Sequence, residues 1–302
     1  MLSQAFAEPQ LHTAFFDWLF IELLHFNQLP PAVLFYITIA IIFLQGIAIS
    51  VLLRVYKITP KLNLVPAAVY YILFYLFDEF IVFSPLLLTN FLVIVLLIIL
   101  FNVYNQKKAD ATFFNAGFLS GIICLLYFPA VVLILFSIYA LFALRSSSIR
   151  ELFVFISGIF TILFLVFTAC FWFDATQLLL NTVMLPLSHS SDTSIGLIEY
   201  IKCFLLACLL LPSLLFVSNR SGSVLIQIRK YLAAIIVLAF FGFIAGFLYS
   251  SISLPAFILA IIPCSIFIGY YFSYLKNRDS AEIIHLTCLG IIFAFQYINF
   301  AG

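Results

Sequence analysis

The chain reads as an all-α, polytopic transmembrane helix bundle of about ten spans, within a range of nine to eleven. Three observations predict that fold. First, 66% of the 302 residues are hydrophobic and only 8% are charged, with a mean hydropathy of +1.27; in soluble domains about a quarter of residues are charged. Second, long apolar runs recur along the whole chain, as in a protein with many membrane crossings. Third, the lysines and arginines fall in alternate loops, the pattern of a chain that weaves back and forth with its basic loops on the cytoplasmic side.

The central element is the stretch 106–173. Lys107 and Lys108 lie at its start, Arg145 and Arg150 interrupt it, and nothing between Asp110 and Arg145 is charged. A single rod of about 32 residues within that uncharged run would be roughly 48 Å long at ~1.5 Å per residue, too long for one straight crossing of a hydrocarbon core about 30 Å thick. Both ends are basic, so the segment is expected to go out and return, turning at Tyr127-Phe128-Pro129. This gives a short helical hairpin around Pro129.

Residues 1–31 contain no lysine or arginine. The stretch 13–27 is apolar but broken by Asp17, Glu22 and His25, and is too short to span, so 1–31 is expected to be an outer interfacial amphipathic segment. A cleaved signal peptide would need a basic leader. Residues 32–302 form a single transmembrane helical domain. Its expected spans are 32–53, 64–79, 86–104, the two halves of the hairpin, 151–173, 197–217, 231–249, 255–274 and 282–298. The longest polar connection is 174–196.

The charges orient this path. Arg54, Lys57, Lys61, Lys107, Lys108, Arg145, Arg150, Arg220, Arg229, Lys230, Lys276 and Arg278 fall on one side, 12 of the 13 basic residues. Lys202 alone falls on the other. Both termini are therefore expected outside, with the protein in the cell inner membrane. The outer side would hold Glu8, Asp17, Glu22, Asp78, Glu79, Asp174, Asp192 and Glu199, 8 of the 12 acids. If there is a reaction centre, that acidic face is the place for it.

The candidate catalytic residues are Asp17, Glu22, Asp78 and Glu79. An acid pair near membrane depth is costly and by default points to function, although an interfacial turn also explains Asp78 and Glu79. Asp17 and Glu22 are separated by about 140° of helix rotation and do not converge unaided. Glu22 with His25, and Glu282 with His285, share a helix face. Ser188, His189 and Asp192 lie in one polar loop without triad geometry. Lys202 is a candidate for a lipid phosphate, or a snorkelling side chain. Gly117-x-x-x-Gly121 and Gly242-x-x-x-Gly246 are helix-packing motifs. The six cysteines fall in apolar spans without CxxC spacing and read as small buried hydrophobes. The spans also hold Gln45, Asn90, Asn102, Asn115 and Gln296. There is no P-loop, dinucleotide-binding glycine pattern, metal-ligand spacing or nucleic-acid patch.

The runs VPAAVYYILFYL, SPLLLTNFLVIVLLIIL, FNAGFLSGIICLLYFPAVVLILF and SIRELFVFISGIF resemble an uncharacterised family of multipass inner-membrane proteins of Bacteroidota. The likeness covers roughly residues 40–175 and is clearest at Ala116-Gly117-Phe118 with Gly121, followed by Tyr127-Phe128-Pro129. Members carry one more span at the N-terminus, which agrees with an outside N-terminus here and leaves room for a truncated start. Some members are labelled carotene oxygenases, a chemistry that needs histidine-bound iron; four scattered histidines do not suggest it. A second resemblance is to GT-C-fold glycosyltransferases, which use polyprenyl-phosphate sugars. They too place a glycine-opened short helix pair with a central proline between basic loops. That likeness implies acids in the first two outer loops, here Asp17 with Glu22 and Asp78 with Glu79, and a divalent cation as a possible cofactor. The paired-acid motif of the family's first loop is absent.

Three function classes follow: a membrane component or scaffold of an envelope process, a GT-C-like transferase using lipid-linked sugar at the outer face, and a transporter of a small or lipidic solute. The expected partners are the lipid bilayer, membrane proteins and, for a transferase, a polyprenyl-phosphate lipid. No cofactor is identified from the residues themselves.

Overall fold

The computed structural model describes residues 29–59, 63–77, 81, 83–106, 108–146, 148–179, 181–182, 197–220, 224–248 and 257–274, with Phe15 and Trp18, Leu19 and Phe20. No strand occurs among them. The long helices are α1 (Pro31–Val55), α2 (Val65–Leu76), α3 (Pro85–Asn102), α4 (Asp110–Leu126), α5 (Val132–Leu144), α6 (Ile149–Trp172), α7 (Leu197–Arg220), α8 (Ile226–Phe247) and α9 (Ile258–Ser273). Of these, α1, α3, α6, α7 and α8 are long and apolar enough to cross a membrane, and α2, α4, α5 and α9 are shorter apolar helices. The helical membrane-protein class is as expected. The expected tenth stretch, 282–298, lies outside the described residues, as do Glu282 and His285.

Local chemistry sets the helix ends. Proline occupies the first or second position of α1, α2 and α3, where its missing N–H costs nothing. Ser84 accepts a hydrogen bond from the Leu87 amide and caps α3. At α6, Ser148 accepts from the Glu151 amide while the Glu151 carboxylate accepts from the Ser148 amide, a reciprocal box that satisfies two orphan donors. The same carboxylate reaches Arg145 at 3.2 Å, so Glu151 sits almost fully buried at the start of the helix.

The hairpin around Pro129 is present. Helix α4 stops at Leu126, Tyr127 is extended, and a 3₁₀ turn at Phe128–Val131 leads into α5. Ser120 and Ser137, equidistant from the turn, lie 3.2 Å apart, and each also donates to its own helix, Ser120 to the Ala116 carbonyl and Ser137 to that of Leu133. Helix α6 then runs alongside α4 in the same direction. Their starts are joined by Arg150 and Asp110 at 3.4 Å. Further along, Gly117 faces the Phe155 backbone, and Gly121 faces Ile159 and Ile162.

Helix α9 is the innermost. Every residue from Ile258 to Tyr270 is buried, as expected of a helix apolar on all sides. Small residues make room for its neighbours: Gly269 meets Pro66 of α2, and Ala260 meets Gly242 of α8. By contrast α6 buries only Glu151, Phe155, Gly158 and Cys170. Its other phenylalanines and Trp172 face outward, as they would into hydrocarbon.

Helix ends that carry basic residues meet at one end of the bundle. Tyr56, just past α1, donates to the Ile98 carbonyl and to Asn102 of α3, both at 2.9 Å. Its ring packs edge-on against Tyr231 of α8. Lys230 donates to the Leu144 carbonyl at the end of α5. Arg220 of α7 lies 4.0 Å over the Tyr274 ring just past α9, and Asn63, before α2, donates to Ser273. Arg54, Lys57, Arg145, Arg150, Arg220, Arg229 and Lys230 thus belong to helix termini at a shared end. Helix α8 starts at Ile226 rather than at the expected Tyr231, because Lys230 reaches a carbonyl of α5 from within the helix instead of lying in a loop. Two cysteines also depart from expectation: Cys203 and Cys208 are exposed on α7, since that helix borders the bundle and turns an apolar side outward.

Candidate functional site

Polar groups at mid-depth are the first place to look for chemistry, because hydrocarbon leaves them no water. Gln45 of α1, Tyr70 of α2 and Asn90 of α3 are all fully buried. The Tyr70 hydroxyl donates to the Gln45 side-chain oxygen and accepts from the Asn90 amide at 2.9 Å. The Gln45 amide donates to the Leu87 carbonyl at 2.9 Å. Gln45 lies about 15 Å along α1 from Val55, half the thickness of a ~30 Å hydrocarbon core. Close by, Ser50 accepts from the Ala67 amide at 3.2 Å, and Tyr71 donates to the Phe43 carbonyl at 2.8 Å. These bonds clamp three helices together.

The chemistry open to this cluster is narrow. It contains a phenol and two carboxamides and no group that titrates near neutrality. Every described ionisable Asp, Glu, Lys or Arg belongs to a helix end or the turn beside it, not to the middle of the bundle. No group of three or more His, Cys, Asp or Glu among the described residues is placed to hold a metal ion. At the basic end, burial and the nearby Tyr231 push the Tyr56 hydroxyl up to about 12, so it stays a hydrogen-bond donor at neutral pH.

The expected catalytic residues Asp17, Glu22, Asp78 and Glu79 lie outside the described residues, as do His25, Ser188, His189 and Asp192. Some of their sequence neighbours are described. Phe15 and Trp18 to Phe20 pack with Leu125 and Leu126 at the far end of α4. The Trp18 ring lies 6.0 Å from Phe173, and Phe20 lies 5.8 Å edge-on to Phe83. Residues flanking both candidate acid stretches therefore meet at the end opposite the basic one. Lys202, near the start of α7, is at that end too and is only 5% exposed.

An apolar groove opens at the same end, between α7, α8 and α9. It encloses about 350 Å³, with Phe77, Cys203, Ala207, Phe243, Phe257 and Ala260 among its walls.

The glycines Gly117, Gly121, Gly242 and Gly246 all meet other helices of the same chain: Phe155, Ile162, Ala260 and Phe257 respectively. Gly158 was not singled out in the sequence, yet it faces the Phe114 carbonyl across the same interface as Gly117. Tyr70, the hub of the buried cluster, was also missed. As one of 15 tyrosines it carries no local mark of its partners. Compared with known family models, curated proteins and solved structures, the chain matches none.

Proposed function

We propose that this chain is a multipass protein of the cell inner membrane, of about ten spans, serving as a membrane component or scaffold of an envelope process. In this reading the basic end is cytoplasmic and both termini are outside. The observation that carries it is the use made of the mid-depth polar residues: Gln45, Tyr70 and Asn90 are spent on one another and on holding α1, α2 and α3. A transporter or proton relay would instead set polar or ionisable groups along a path.

Orientation is tested by cysteine labelling in a background without native cysteines. Asp174→Cys, on the exposed turn after α6, should react with an impermeant maleimide in intact cells, and Lys108→Cys only after permeabilisation. The reverse pattern overturns the orientation.

A GT-C-like transferase is the second reading, favoured by the Phe20–Phe83 and Trp18–Phe173 contacts, which bring the flanks of the two acid stretches to one end. It would use a polyprenyl-phosphate sugar, with a divalent cation held by the acids. Asp17, Glu22, Asp78 and Glu79 separate the readings when each is replaced by alanine at unchanged expression. A scaffold retains full complementation of a deletion strain in all four variants. Loss in any one of them at normal protein level supports the transferase and counts against the scaffold.

A further inference from the structure

We propose that the groove between α7, α8 and α9 is a binding site for one acyl chain of a phospholipid from the leaflet opposite the basic end. This rests on the membrane placement proposed above. The walls are aromatic and aliphatic, with Tyr200 exposed at the rim. From Tyr200 to Leu210 the groove follows α7 for about 15 Å, half of a hydrocarbon core about 30 Å thick. That is the depth of one leaflet, which suits a phospholipid chain better than a polyprenyl chain long enough to cross both.

The concavity has a sequence cause. Cys203 and Ala207, one turn apart on α7, are small and exposed where the helix presents Phe204, Leu211 and Leu215 elsewhere. The opposite wall is held in place: Gly242 packs on Ala260, Gly246 packs on Phe257, and Phe257 meets Phe247 edge-on at 5.2 Å. A preformed wall lowers the ordering cost of a bound chain, which separates this groove from the convex surface of α6. Lys202 lies in the same turn as Tyr200 and Cys203. It is the one described lysine or arginine at this end, but it is buried, so the length and apolar lining of the groove, rather than this charge, select the occupant.

The test uses the full-length protein in mild detergent, with native mass spectrometry and lipid extraction. One phospholipid per chain is expected to survive delipidating washes. Ala207→Phe, which fills the groove from its open side, should lose that lipid, whereas Thr168→Phe, of similar bulk on the outer face of α6, should keep it. A second measurement needs no variant. Adding phospholipid back to delipidated protein should slow alkylation of Cys203 by an apolar maleimide severalfold and leave Cys208, exposed on α7 outside the groove, unchanged. Retention of the lipid by Ala207→Phe, equal effects on the two thiols, no retained lipid, or a polyprenyl lipid or second copy in its place would each overturn the proposal. These readouts do not depend on which end is cytoplasmic, so their failure is distinct from failure of the orientation test.

Discussion

Gly117→Leu is expected to leave no folded protein in the membrane, and Gly117→Ala to lower the unfolding free energy by about 1–3 kcal/mol, the usual cost of overpacking. A Cβ at Gly117 would fall inside the van der Waals surface of the Phe155 carbonyl oxygen, and one at Gly158 would meet the Phe114 carbonyl. Both obstacles are backbone on a partner helix, so neither can turn aside. Relief requires α4 and α6 to separate along their shared length, which also parts Asp110 from Arg150. The other glycines of the two sequence motifs differ from these: Gly121 would meet the branch methyl of Ile162, Gly246 the Phe257 ring, and Gly242 backbone of Ala260 and Leu259 that stands off at 3.2 Å, so a small shift relieves it. Among these five positions, alanine at Gly117 and Gly158 should therefore cost most and at Gly242 least, measured by steric-trap unfolding in bicelles. An equal response at all five positions would show that the α4–α6 approach is not what limits packing.

That ordering also marks how far the sequence could be read. Apolar runs and alternating basic loops located the helices, and α1 at Pro31–Val55 differs little from the expected 32–53. Pro129 marked the hairpin because a helix cannot run through it undisturbed. Charge was a poorer guide to boundaries. Arg229 and Lys230 suggested a loop, yet they lie inside α8, because long stems let amines reach carbonyls such as that of Leu144. The order of the helices within the bundle was not legible. In a membrane the outermost and innermost helices are both apolar, so nothing in the local pattern of α9 announced that all of Ile258 to Tyr270 would be buried. The same limit hid Tyr70, whose partners lie 25 residues before it and 20 after. The candidate acids remained a matter of sequence alone.

Tyr70→Phe is the sharpest test of the buried cluster. It removes the hydroxyl that Gln45 accepts from and Asn90 donates to, at no cost in shape. Two polar groups would then be left in a dry interior where the Thr89 hydroxyl and the Asn90 carbonyl oxygen already lack a hydrogen-bond partner among the described residues. Each newly unpaired group costs ~1–3 kcal/mol, moderated because a chain unfolded within the membrane also finds partners; about 2 kcal/mol in total is expected by the same steric-trap measurement. Gln45→Met combined with Tyr70→Phe and Asn90→Leu should recover most of that loss, since removing all the partners together leaves far less unpaired than removing one. If Tyr70→Phe were neutral, the cluster would not be a clamp. If the triple variant folded as well as the wild type but failed to complement a deletion strain, these residues would have a task beyond holding α1, α2 and α3 together, and the scaffold reading would give way to one in which the middle of the bundle binds a polar ligand.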